Sequence, residues 1–224
     1  IQKIRKECER LFVEFGFDVY ARIDGFITKQ AKIFLNDPNT TSGMMPSSFF
    51  FHQAAEIGLN PSQFLTFIIR TSLQQRIIGA KNSGKYDALL GSLDESIRQN
   101  QNDVSKKIKT AVIFGGFSSE RHISVESGRN IYEKLASSSK YRPIPIFLTG
   151  NEQEHKLYHI PVKILLKDNA DDIKEKAEKY EIHPALKYIV QKCSQITKKY
   201  SNPIVKPKRI TYGELAKMAD VVFI

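Results

Sequence analysis

Three oxygen-bearing side chains early in the chain have the types and spacing for divalent-metal chemistry. Asp37 and Asn39 stand two apart at the end of a strand-like stretch, and strand alternation turns such residues toward one face. Asp24 lies on the stretch that would pair with it, so two carboxylates and an amide oxygen converge. Magnesium takes hard oxygen donors of this kind, with water and phosphate oxygens, in octahedral arrangement. The cluster therefore suits a magnesium ion bridged to nucleotide phosphates. The same residues carry a second reading, because Asp37-Pro38-Asn39-Thr40 is also turn chemistry. Pro38 cannot donate to a sheet ladder, which suits a strand end or edge.

A second chemical signal follows the apolar run Val112-Ile113-Phe114, which ends in Gly115-Gly116 and continues as Phe117-Ser118-Ser119-Glu120-Arg121-His122-Ile123-Ser124. A glycine pair between a buried strand and a helix lets backbone approach a ligand closely, and the helix N-terminus favours anions there. As a generic strand-to-helix turn, the stretch needs no ligand. Ser124 can cap the helix with its hydroxyl. Glu120 is expected just beyond the strand, at the rim of a parallel sheet and open to a cleft, since ligands of open α/β sheets collect beyond the strands' carboxyl ends. His122 reads as a surface residue.

The elements that must position these groups follow from periodicity. Apolar residues at Ile1, Ile4, Cys8, Leu11, Phe12 and Phe15 mark one face of a helix, which Gly16 ends. Residues 19–27 and 33–37 read as two strands of a hairpin, turning at Thr28, Lys29 and Gln30. Ser47 or Ser48 can cap a helix running to about Ile57, and Asn60 with Pro61 starts another reaching about Ile78. Residues 80–107 read as a linker with one loosely held helix, striped at Leu89, Leu90, Leu93 and Ile97. Strands at 110–114 and 141–148, with the helix carrying Ile131 and Leu135 between them, form the βαβ unit of a parallel sheet. A long charged helix within 170–200, a short one over 212–218 and a strand at 220–224 complete the pattern. The fold class is α/β, with α+β character in the first part. The expected division is 1–79, 80–107 and 108–224.

Composition narrows the function classes. With 41% apolar residues in 224 the chain has material for one large or two modest cores. No run approaches the ~18 apolar residues of a membrane span, and the first ten residues look like an amphipathic helix rather than a signal peptide, so a cytoplasmic setting without a membrane partner is expected. Cys8 and Cys193 suit neither a disulfide framework nor a zinc site. Of the net charge of +10, residues 1–80 contribute only +2, nine Lys and Arg against seven Asp and Glu, leaving +8 for the rest. Much of that lies between Lys174 and Arg209, where lysines alternate with glutamates and tyrosines as on a solvated helix face. No nucleic-acid motif accompanies the charge, so no nucleic-acid partner is expected. Both ends read as cuts in a longer chain, the second falling inside an apolar strand.

The wider stretches around both signals resemble one family. Tyr20-Ala21-Arg22-Ile23-Asp24, followed by Asp37-Pro38-Asn39-Thr40-Thr41-Ser42-Gly43-Met44-Met45-Pro46-Ser47-Ser48, resembles the end of the ATP-grasp domain in D-alanine–D-alanine ligases. There the pattern is Ala-Arg-Val-Asp, a strand turn, then Glu-x-Asn-Thr-x-Pro-Gly-Met-Thr. Gly115-Gly116-Phe117-Ser118-Ser119-Glu120 resembles the same family's opening, Gly-Gly-x-Ser-x-Glu-x-x-Val-Ser. The resemblance implies a C-terminal piece of an ATP-grasp domain followed by a Rossmann-like pre-ATP-grasp domain. It implies ATP and magnesium or manganese as cofactors, with D-alanine as substrate for peptidoglycan synthesis.

By that resemblance Asp24, Asp37 and Asn39 bind the metal. Arg22 and the N–H of Gly43 stabilise the oxyanion, and Ser48 with the N–H of Phe49 holds the second D-alanine's carboxylate. Glu120 grips the ammonium of the first. Asp37 stands where the family usually has Glu and Ser42 where it usually has Pro, so backbone or water must make up for a shorter carboxylate. The family's central ATP-binding region has no counterpart, and its two ends occur in inverted order. A tandem of two fused modules accounts for this, each the other's partner within a longer chain. The resemblance also allows a homodimer. A non-catalytic binding or assembly module, and a ligase for another amino acid, are the competing readings.

Overall fold

The computed structural model describes residues 1–41, 43–45, 48–80 and 82–224, the side chain of Lys167 set aside. In the first part, α1 (Gln2–Glu14) carries the expected apolar stripe and gives way at Phe15 to Gly16, whose φ of +64° suits a residue without Cβ. β1 (Arg22–Ile27) and β2 (Ile33–Asn39) pair as the expected antiparallel hairpin. α2 (Phe49–Glu56) and α3 (Pro61–Gly79) follow. The start of α3 is a reciprocal cap: the Asn60 side chain accepts the Gln63 N–H at 2.9 Å, and the Gln63 side chain accepts the Asn60 N–H at 3.0 Å.

Where a linker with a loosely held helix was expected, α4 (Gly84–Asn102) is a 19-residue helix packed on α3, closed by a 3-10 turn at Asp103–Ser105. Its anchor is polar. The Arg70 guanidinium on α3 forks onto the Asp94 carboxylate at 2.7 and 2.9 Å, and Lys199 lies 2.9 Å from the same group. The Arg70 hydrogen bonds hold the Asp94 carboxyl down to about 2, against partial burial.

The second part is built on β3 (Ile108–Gly115), α5 (Arg121–Ala136), β4 (Tyr141–Gly150), β5 (His155–His159) and α6 (Val162–Lys167). It continues through α7 (Ala170–Glu178), α8 (Pro184–Lys192), α9 (Ser194–Tyr200), β6 (Lys208–Ile210), α10 (Tyr212–Met218) and β7 (Val221–Phe223). The sheet order is β6-β5-β4-β3-β7. β3 runs parallel to β4 and β7, as the βαβ reading requires, but β5 runs antiparallel to both β4 and β6, so the sheet is mixed rather than parallel. The reversal into β5 is a tight turn: Gly150 has φ +119°, and the Asn151 side chain accepts the N–H groups of Gln153 and Glu154. The expected long charged helix is three shorter ones. Pro184 cannot continue a preceding helix and instead opens α8, with His183 accepting the Ala185 N–H.

Pleat alternation sends successive residues of β3 into two cores. Val112 and Phe114 meet Phe147, Val125, Leu165 and Ile173 under α5, α6 and α7, while Ala111 joins Ile144, Ile146, Leu157 and Leu215 on the other side. α5 lies so close to β3 that a Cβ at Gly128 would sit 2.6 Å from that of Phe114. The first part packs onto the second through α2 against α6, with Ala55 inside the larger core. The Thr197 hydroxyl donates to the Ile57 carbonyl at 2.8 Å, and the Gln63 amide to the Tyr200 carbonyl at 3.0 Å. Among the described residues no helix is long and apolar enough to cross a membrane.

Candidate functional site

The hairpin brings the metal candidates to one end but not by simple alternation. Arg22 pairs with Asn39 and Ile23 with Pro38, yet Asp24 pairs with Asn36, so Asp37 is the extra residue of a β-bulge. Its φ is +51°, a left-handed conformation that Asp tolerates better than most residues. The sharing of one face by Asp37 and Asn39, expected from a regular pleat, therefore has no basis here, because a bulge re-aims the inserted residue. The turn reading has a counterpart: the Asn39 amide donates to the Asp37 carbonyl oxygen at 3.0 Å. Arg22 lies 3.1 Å from Asp24, both side chains about half exposed.

Two carboxylates and an amide oxygen fit magnesium as a donor set, and Asn39, by donating through its nitrogen, keeps its oxygen for a ligand. Among the described residues no three Asp, Glu, His or Cys side chains gather into a group that could hold a metal ion.

Gly43 is exposed, with open space where a Cβ would stand. Ser48 precedes the first turn of α2, its N–H donating to the Met45 carbonyl at 2.8 Å. Its hydroxyl oxygen is buried and has no partner among the described residues. Phe49 opens α2 and is 80% exposed. The positions of Ser42 and of Ser47 as a cap lie outside the described residues.

The second motif stands on the rigid sheet. Gly115 and Gly116 have φ of +98° and +107°, and a Cβ on Gly115 would meet the Phe147 ring at 2.5 Å. The Gly116 N–H donates to the Leu148 carbonyl at 2.8 Å. Ser124 lies inside α5 rather than capping it; its hydroxyl accepts the Gly115 N–H at 3.1 Å and ties the turn to the helix. Glu120 occupies the cap position itself, beyond the carboxyl end of β3, without a capping bond. It is exposed and its carboxylate has no partner among the described residues. Beside it, Arg121 forks onto Asp171 at 2.9 and 3.1 Å, and exposed His122 lies 3.5 Å from the same carboxylate. The Arg121–Asp171 pair was invisible in the sequence because its members are far apart along the chain.

A cavity of about 630 Å3 opens elsewhere, around the amino ends of β3 and β4, and neither Glu120 nor any of Arg22, Asp24, Asp37, Asn39, Gly43, Ser48 and Phe49 lines it.

Comparison with known proteins identifies both stretches. The family model described as D-ala D-ala ligase N-terminus matches residues 109–224, and that described as D-ala D-ala ligase C-terminus matches residues 1–70. Similar curated proteins include the D-alanine--D-alanine ligase of Tolumonas auensis, 38% identical over 33% of this chain and 22% of the relative. D-alanine--D-alanine ligase B of Clostridium perfringens is 31% identical over 34% of this chain and 25% of its own length. The Vibrio atlanticus ligase is 36% identical over 31% and 21% respectively. The chain thus spans between a fifth and a quarter of the length of these relatives. No solved structure matches.

Proposed function

Because this chain belongs to the D-alanine–D-alanine ligase family, we propose that it is the junction of two fused ligase-like modules. Residues 1–79 would end one ATP-grasp domain, 80–107 connect, and 108–224 open the next module. The observation that carries the reading is order: the match to the family's C-terminus precedes the match to its N-terminus.

The proposed reaction is the cytoplasmic, ATP-dependent joining of two D-alanines for peptidoglycan precursors. The carboxylate of the first D-alanine takes the γ-phosphoryl group of ATP. The amine of the second attacks the resulting acyl phosphate, and phosphate leaves as the peptide bond forms. Asp24, Asp37 and Asn39 would hold magnesium or manganese, which when bound offsets phosphate charge. Arg22 and the Gly43 N–H offset the oxyanion of the tetrahedral intermediate, and Asp24 keeps the guanidinium at hand. The unpartnered Ser48 hydroxyl and the Phe49 N–H at the start of α2 suit the second substrate's carboxylate. Glu120 pairs with the ammonium of the first. Fixed charge partners at both ends of the substrates supply orientation.

A second reading, a module that binds without catalysing, is favoured by one observation. The shorter Asp37 sits on a bulge with left-handed backbone, which aims its carboxylate differently from a regular strand residue. Asp37→Ala in the complete protein, with the second module silenced by Glu120→Gln, separates the two. Loss of D-alanine-dependent phosphate release supports the ligase, and unchanged kinetics support the binding module.

A further inference from the structure

The 630 Å3 cavity at the amino ends of β3 and β4 has an unusual charge balance. Its lining includes Lys107, Lys109, Arg142 and Lys217, and no Asp or Glu. None of the four forms an ion pair among the described residues, although many other basic side chains of this chain do. The parallel register sets Lys109 directly beside Arg142. Lys107 reaches only neutral oxygens, those of Asn100 and Ser138, both at 3.4 Å. The Asp220 carboxylate accepts the Lys109 backbone N–H at 2.8 Å and does not itself line the cavity.

Like charges gathered around a concavity repel one another, and a chain that holds them there without counter-charge leaves a site suited to an anion. The cation field is felt locally: burial first, then Arg142 and Lys208, hold the lining residue His159 down to about 4, so its ring stays neutral near pH 7. Neutral polar residues complete the wall. Asn60, Gln63, Ser138 and Asn202 line it, as does the Tyr132 phenol, which burial pushes up to about 12. The volume lies within the ~300–1,000 Å3 usual for small-molecule sites.

We propose that this cavity binds a small phosphorylated molecule, its phosphate groups held by Arg142, Lys109 and Lys217 and its neutral part by the amide and hydroxyl lining. The site lies apart from the residues assigned to ligation, and it does not depend on that assignment. Several positive charges favour a multiply charged anion over a carboxylate, and the planar guanidinium suits bidentate contact with phosphate.

Titration calorimetry on the 224-residue chain, in chelator and without magnesium, tests this with inorganic pyrophosphate and with ADP as probes. Saturable binding is expected. Arg142→Gln should weaken it about tenfold or more, as loss of one charge-assisted contact does. Lys217→Gln, at an exposed position, should weaken it in the same direction, while Lys134→Gln, exposed on α5 outside the cavity, leaves it unchanged. Absence of saturable binding, or equal affinities for both cavity variants and the parent with unfolding midpoints preserved, would overturn the proposal. So would a single-stranded oligonucleotide that binds more tightly than either probe and displaces it.

Discussion

The hairpin and the sheet hold their chemical residues on very different footings. Along β1 and β2 no residue is buried, and Phe26 and Phe34 stack on each other at a ring distance of 5.1 Å while remaining 59% and 48% exposed. α1 likewise buries no residue. β3 and β4, by contrast, supply Val112, Phe114, Ile146 and Phe147, each at most 2% exposed. A lone two-stranded hairpin is marginal in water, whereas a covered five-stranded sheet is not. Glu120 therefore stands on a turn locked by Gly115, Gly128 and Ser124, while Asp24, Asp37 and Asn39 stand on a ribbon with little core beneath it. Preorganisation belongs to the ammonium-binding candidate far more than to the metal candidate.

The largest effect expected from this contrast is in the sheet. Phe147→Ala removes a ring packed between Gly115 and Phe114 and should cost ~3–5 kcal/mol in urea unfolding, with an unchanged slope. A cost below that of an exposed substitution would erase the distinction between the two regions.

An intermediate effect is expected at the α3–α4 contact. Asp94→Asn breaks the fork with Arg70 and should cost roughly 1 kcal/mol, given that both groups retain some water. The Asp94 carboxyl is depressed from 3.8 to about 2, so its contribution is fully present above about pH 4 and is lost as pH falls toward 2. Parent and variant stabilities should converge in that window, which acid titration of unfolding free energy would follow. A gap that stays constant down to pH 2 would assign the stabilisation to something other than this ion pair.

The smallest effect belongs to the hairpin. Phe26→Ala should change global stability by no more than ~0.5–1 kcal/mol. The amides of β1 and β2 should exchange with deuterium by local opening, well before those of β3 and β4. Equal protection in both would mean that the ribbon shares the core's stability after all.

The contrast also explains what could be read from the amino-acid sequence. The hairpin, the Asn60-Pro61 start of α3 and the βαβ unit are local patterns, and all are present. β5 and β6 escaped because five and three residues are too few for alternation to register, and β6 meets β5 only through a long-range antiparallel pairing. α4 was undervalued because its anchor, Arg70 to Asp94, joins residues on different helices. At the candidate site, residue types were legible but geometry was not: the bulge at Asp37 arises from strand register, which no single stretch encodes. Pro184 was the one missed break whose signal lay in plain view.

As the proposed junction of the metal-binding end of one ligase module and the ammonium-binding start of another, the chain would hold neither site complete. Phosphate release by the 224-residue chain, supplied with ATP, magnesium and D-alanine, tests this most directly. Release no faster than in the absence of D-alanine is expected. D-Alanine-dependent phosphate release accompanied by the dipeptide would contradict it.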